Sequence, residues 1–350
     1  MPTCRPVVQV FEGAFKEKII HGEVIDIESL PYPDFSLVAD YHKITHFPVS
    51  ASRGCPYNCP FCQVPSVFER KYRVRSPESI TSELIARKQV GQEVLFFNDD
   101  LFGLDLNSTI PFMENLITCG VRFRHISAET RANIIKRNPE LLKMMKLVGF
   151  RKLHVGVESI NDENLRDYGK AQTVRDIADA MNVANEVGIR INGMFILGMD
   201  NDDNSTVERT VKFIKETGMD TATFSILYPI PGTPLFNELD SQHRIMTRDW
   251  SLYDGTHVVF KPKKINPLSL QNMWVNAWKS LYRWYTRYGI ANRGFFRLFW
   301  YPRNREYLRA LVEDKLSSIE TRLRGLKLPT NFRPTIFELF VENIVTRVPA

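Results

Sequence analysis

Three cysteines fall within eight residues in the segment Arg53-Gly-Cys55-Pro-Tyr-Asn-Cys59-Pro-Phe-Cys62. A C-x3-C-x2-C loop can bring three thiolates round one soft metal centre. Pro56, Asn58 and Pro60 favour a shaped turn there over a helix. An iron–sulfur cubane ordinarily takes four cysteine ligands, so three would leave one iron open. An open coordination position is what a catalytic site keeps and a structural site closes. Zinc is the rival reading, but it needs a fourth ligand. His42 and His46 lie upstream at no common zinc spacing. Cys4 and Cys119 stand apart and are read as non-ligands. Five cysteines, behind an N-terminus without a basic-then-apolar leader pattern, argue against a disulfide framework. They point to a reducing, cytoplasmic setting.

The elements that must position this loop are legible. Five times a helical pattern ends in glycine (Gly91, Gly120, Gly149, Gly188, Gly218), and an apolar, strand-like run follows. The runs are Val94–Asn98, Arg122–Ser127, Leu153–Val157, Ile191–Leu197 and Thr223–Leu227. They read as strands buried on both faces. An earlier strand, His46–Ser52, leads into the cysteines. Helix starts are expected at Ser76-Pro77, at Thr173, and at a capping box Ser205-x-x-Glu208. Six βα units are too few for a closed eight-stranded barrel. The expected fold is α/β, an open partial (βα)6 TIM-like barrel, with a doubly wound flat sheet as the alternative. Residues 1–44 read as an N-terminal segment and linker, 45–240 as the barrel, and 241–350 as a C-terminal helical region.

C-x3-C-x2-C after a first strand, with the aromatic Phe61 before the third cysteine, resembles the signature of the radical S-adenosylmethionine (SAM) enzymes. The resemblance covers about residues 45–240. It implies that Cys55, Cys59 and Cys62 hold a [4Fe–4S] cluster whose open iron takes the amino and carboxylate groups of SAM. An electron from the cluster then cleaves the C–S bond and releases a 5′-deoxyadenosyl radical. Functional groups in such a barrel sit at the C-terminal ends of strands. The resemblance therefore implies SAM contacts from Phe61, from Asp99 and Asp100, and from Glu129 and Arg131. Glu158 and Ser159 resemble the ribose-side segment, and Gly198 the adenine-side segment; Tyr228 heads the Pro-rich run after the last strand. Blander readings stand beside these: Asp99 and Asp100 as a helix cap, and Glu129 with Arg131 as a structural ion pair. For the whole chain the rival is a zinc-binding protein, or a cluster-binding one without turnover.

Asp99-Asp100 and the linker Val24–Asp34 (VIDIESLPYPD) resemble the cobalamin-associated branch, which holds hopanoid methylases and the anaerobic porphyrin-ring cyclase. The resemblance implies methylation or oxidative ring formation at an unactivated carbon, a lipid or porphyrin-like substrate, and a reductant such as flavodoxin or ferredoxin. Only about 24 residues precede the linker, and no Asp-x-His-x-x-Gly cobalt-ligand motif is present. Cobalamin use is thus open, and a separate cobalamin-binding protein is one way to supply it.

With 350 residues, 43% hydrophobic and 25% charged, the chain can fill a core, which excludes disordered and collagen-like classes. The formal charge of +6 is local: residues 281–350 carry thirteen Lys/Arg and six Asp/Glu, leaving the rest at −1. Within this tail, Trp278–Tyr301 interleaves arginine with aromatics. It reads as an amphipathic helix packed on the barrel, with peripheral membrane contact as the second reading. Nucleic acid is the weakest partner class, since no known RNA-binding module follows residue 240.

Overall fold

A computed structural model describes residues 25–282. Its strands are β1 (Phe47–Val49), β2 (Ser52–Arg53), β3 (Arg73–Val74), β4 (Val94–Phe97), β5 (His125–Thr130), β6 (Phe150–Glu158), β7 (Arg190–Leu197) and β8 (Thr221–Ile226). Its helices are α1 (Val64–Val67), α2 (Pro77–Gln89), α3 (Leu106–Thr118), α4 (Ala132–Arg137), α5 (Pro139–Val148), α6 (Asp162–Asp167), α7 (Val174–Val187), α8 (Thr206–Glu216), α9 (Pro234–Ser241) and α10 (Pro267–Tyr282).

Six strands form one parallel sheet in the order β1-β4-β5-β6-β7-β8, and β2 pairs antiparallel with β3. The order follows the chain without reversal. A doubly wound sheet would reverse it at a switch point, so that alternative is excluded. Sequential right-handed crossovers put the helices on one face and leave the other as the lumen of an open barrel.

Leu153, Val155 and Val157 of β6 are fully buried on the helix side. Lys152 and His154 alternate with them and are only half-buried. The expectation of strands buried on both faces is therefore corrected. The inner face is polar because the lumen is open, and the strand is longer than the apolar run Leu153–Val157 because polar residues belong to it.

The five terminal glycines all adopt positive φ. The Ser76 side chain accepts from Ser79 N at 3.1 Å, capping α2 over Pro77. Thr173 and Asp176 form the capping box of α7. The box expected at Ser205 does not form. Ser205 has helical backbone angles and makes no side-chain cap bond; its N–H and hydroxyl donate instead to Asp203.

The linker is tied down along α2 and β3. Arg73 Nη1 donates to Ile25 O at 2.6 Å, Ser76 N to Glu28 at 2.8 Å, and Tyr32 Oη to Ser79 O at 3.0 Å. Beneath it, buried Glu83 bridges Arg75 and Arg87, each N–O distance 2.5 Å, and Arg75 Nη1 donates to Ser50 O at 2.9 Å. This ion triad fixes the segment that enters the cysteine loop.

Helix α10 falls within residues 241–350. Its buried Trp274 donates to Phe224 O of β8 at 2.8 Å. Most of Trp278–Tyr301 lies outside the described residues, as does Cys4. Cys119 caps the end of α3 and is exposed. Among the described residues no helix is long and apolar enough to cross a membrane.

Candidate active site

The cysteine loop leaves β2 through Gly54. Its φ is +89°, and a Cβ there would stand 2.0 Å from Lys71 O, so only glycine fits. Two adjacent carboxylates at the end of β4 hold the loop entry. Asp99 is buried and accepts from Ala51 N at 3.2 Å, from Ser52 N, and from Ser52 Oγ at 2.5 Å. Asp100 is exposed and accepts from Gly54 N at 2.8 Å. Neither caps α3, whose N-cap is Asp105. Burial pushes the Asp99 carboxyl up to about 6 against its three hydrogen bonds.

The loop closes on itself by Cys62 N donating to Cys59 O at 3.0 Å. It docks across the barrel, with Leu235 N of α9 donating to Pro60 O at 3.0 Å and Cys59 Sγ 3.9 Å from Gly169 O. Gly169 also packs on the loop: a Cβ there would lie 3.3 Å from Asn58 O. Phe61 tilts against Tyr168, ring centroids 6.3 Å apart.

Burial pushes the Cys55 thiol up, as do Cys59 and Asp100, while the Tyr57 N–H and Arg131 pull it down. Burial also raises Cys62, with Cys59 and Cys55 adding and the Val64 N–H and Lys170 opposing. Arg131 thus acts on Cys55 and Lys170 on Cys62. Among the described residues, no three His, Cys, Asp or Glu side chains close round a single ion. A cubane asks for something different, one thiolate at each of three irons.

Arg131 carries the clearest sign of a missing partner. It is 5% exposed, and its Nε and Nη2 are buried with no hydrogen-bond partner. Its guanidinium lies over the Tyr57 ring at 3.9 Å. It does not pair with Glu129, so the ion-pair reading fails. Glu129, on the same strand end, accepts no side-chain hydrogen bond among the described residues; burial raises its carboxyl, then Asp100 and Glu158. An unpaired cation and an unpaired carboxyl beside the cysteines complement an α-amino carboxylate, the charged end of SAM. The thiol set and this charge pair therefore fit the cluster and the co-substrate.

The other expected contacts fall in different settings. Glu158 ends β6 at φ +64° and forms a buried ion pair with Lys170 at 2.7 Å. Lys170 was missed in the sequence; Gly169-Lys170 after a short helix was its only signal. Buried Ser159 accepts from Asn161 N at 3.1 Å and Asn164 Nδ2 at 3.3 Å, which fastens α6. Gly198, at φ +100°, lies where a Cβ would meet Leu270 of α10 at 2.6 Å, and its N–H donates to Asp202 at 2.7 Å. Both residues thus have local structural duties. Tyr228 faces Gly255; burial raises its phenol, with Asp254 and Cys62 adding.

The sequence model of the radical SAM superfamily matches residues 49–214. The bacteriochlorophyllide d C-12(1)-methyltransferase of Chlorobaculum tepidum is 26% identical over 284 residues, 79% of this chain and 61% of the relative. The anaerobic magnesium-protoporphyrin IX monomethyl ester cyclase of Cereibacter sphaeroides is 31% identical over 235 residues, 66% of this chain and 38% of the relative. The chain thus spans between 38% and 61% of the length of these relatives. Among solved structures, the cobalamin-dependent SAM radical enzyme OxsB, with aqua-cobalamin and SAM bound, aligns at TM-score 0.64 and 15% identity, covering 99% of this chain and 58% of that one. At that identity the likeness speaks for the fold, a partial TIM barrel.

Proposed function

We propose that the chain is a member of the radical SAM superfamily, whose sequence model matches residues 49–214, and that it is an enzyme that cleaves SAM reductively to act on an unactivated carbon. A [4Fe–4S] cluster held by Cys55, Cys59 and Cys62 supplies the electron for that cleavage when it is bound. The observation that carries the reading is Arg131, a buried guanidinium with two partnerless N–H groups beside the cysteine loop. Burying such a group costs stability unless a ligand completes it.

In this proposal Arg131 takes the carboxylate of SAM, while Glu129 and the free oxygen of Asp100 take its ammonium. Asp99 positions the loop through the Ala51 and Ser52 amides. Lys170 holds Glu158 toward the ribose side and offsets negative charge at Cys62. Phe61 and Tyr168 wall the loop from water.

The relatives named above are a bacteriochlorophyllide methyltransferase and a magnesium-protoporphyrin ester cyclase, which supports a methyltransferase or cyclase reading with a porphyrin-like substrate. We place the catalytic core at 45–240. A low-potential one-electron donor of the flavodoxin or ferredoxin kind would serve it, and cobalamin would come from a domain or protein outside the described residues.

The test is reductive SAM cleavage by the anaerobically reconstituted chain. It should yield 5′-deoxyadenosine dependent on dithionite. Cys59→Ala should abolish both the product and the visible cluster absorption. A Cys59→Ala variant that retained both would overturn the proposal.

A further inference from the structure

The inner face of β5, β6 and β7 carries, beside and below Glu129, charged groups that the SAM site does not use. Parallel register puts Ser127, Lys152 and Arg190 in one row across the lumen, and Glu129, His154 and Asn192 in the row above. The lower row lies toward the amino-terminal end of the strands and opens to solvent at exposed Arg190; the upper row includes Glu129 of the SAM site. Lys152 and His154 are half-buried, and neither makes a hydrogen bond or an ion pair among the described residues.

The groups feel one another. Burial lowers Lys152, and Arg190 lowers it further, against Asp220. Burial, then Lys152 and His125, holds His154 down at about 4. Burial lowers His125 too, with Arg190, His46, Lys152 and Arg151 adding. Two acids stand near these groups: Asp220, which already accepts from Ile191 N at 2.9 Å, and Glu129, in register with His154 and assigned to the SAM site. Nearby Phe96 stands edge-on to His154, ring centroids 6.1 Å apart, and leaves the imidazole nitrogens free.

We infer that Lys152, Arg190 and His154 form an anion-binding floor in the barrel lumen that holds a carboxylate or phosphate group of the substrate. This rests on the proposed reading of the barrel as the place where the substrate is attacked. It names the substrate class: an anionic molecule whose charged end sits at the floor and whose reacting carbon faces the strand ends above. Half-buried Lys152 and His154, with no acid bonded to either and Arg190 nearby, cost the apo fold stability by desolvation and mutual repulsion. Neutral side chains at these lumen positions would serve folding better. A bound anion reverses both costs and gives charge-assisted hydrogen bonds to lysine and arginine.

The experiment is calorimetric titration of the full chain with inorganic phosphate and, separately, with succinate. It is paired with ¹⁵N-detected imidazole NMR of His125 and His154. One anion should bind saturably at one site, and the tighter of the two names the group. Lys152→Gln and Arg190→Gln should each weaken binding at least tenfold. Lys143→Gln, at an exposed ion pair on α5, should leave it unchanged. Anion saturation should raise the titration midpoint of His154. Wild-type affinity in both floor variants, or no saturable binding to a chain that still binds SAM, would overturn the inference. Saturable binding by a chain that fails to cleave SAM would leave the floor standing and count against the enzymatic reading alone.

Discussion

Replacing Arg131 by methionine separates a ligand-binding cation from a structural one. Methionine keeps the apolar bulk over Tyr57 and removes the charge. Two buried N–H groups without partners cost the cluster-free chain about 1–3 kcal/mol. The cation–π contact with Tyr57, at 3.9 Å, returns about 0.5–2 kcal/mol. These offset, so the variant should unfold within about 1 kcal/mol of wild type, on either side. Its affinity for SAM should fall sharply. Loss of a charge-assisted contact to a carboxylate is worth about 1.5–3 kcal/mol, or roughly 10- to 150-fold in Kd. The assays are denaturant unfolding of the cluster-free chain and calorimetric SAM binding to the reconstituted one. A variant destabilised by more than about 3 kcal/mol that binds SAM like wild type would show Arg131 to be structural, and the argument from its missing partners would be wrong.

Glu83→Gln leaves Arg75 and Arg87 buried without their shared carboxylate, so it should cost about 3–5 kcal/mol in urea unfolding; replacing all three by apolar residues of similar volume should cost far less. In the cluster-free chain, iodoacetamide should alkylate exposed Cys119 first, and the rates at Cys55 and Cys62 should keep rising above the ordinary thiol range of roughly 8.5, read by peptide mass spectrometry. Cluster loading should protect these two and not Cys119. Asp202, buried and held at about 6, binds its proton more tightly folded than unfolded. Its contribution is therefore most favourable below the unfolded value and is lost as pH rises through 6. The difference in unfolding free energy between wild type and Asp202→Asn should fall by about 2–3 kcal/mol from pH 4 to 7.

Much of this was legible in the residues because the signals were local. Five of the six sheet strands follow glycine-terminated helices, and the cysteine spacing needs no tertiary information. What escaped depended on long-range geometry. Asp99 and Asp100 look equivalent in sequence. The fold turns the first onto the Ala51 and Ser52 amides and leaves the second exposed, because adjacent residues at a strand end face opposite ways. Ser205-x-x-Glu208 matched a capping pattern, but Asp203 competed successfully for the serine. Lys170 was invisible as a site residue because its partner Glu158 lies twelve positions away, across α6. The polar alternation of β6 shortened the strand read from apolar runs; an open lumen keeps Lys152 and His154 from being core residues.

The central claim is that three cysteines hold a cluster with one iron free for SAM. Its most direct test is electron paramagnetic resonance of the reduced, reconstituted chain with and without SAM. The account predicts a signal from one reduced cluster, with about four iron and four sulfide per chain, that changes on adding SAM. It also predicts that the change weakens in Arg131→Met. A reduced-cluster signal indifferent to saturating SAM, or a chain that loads one zinc and no iron, would contradict it.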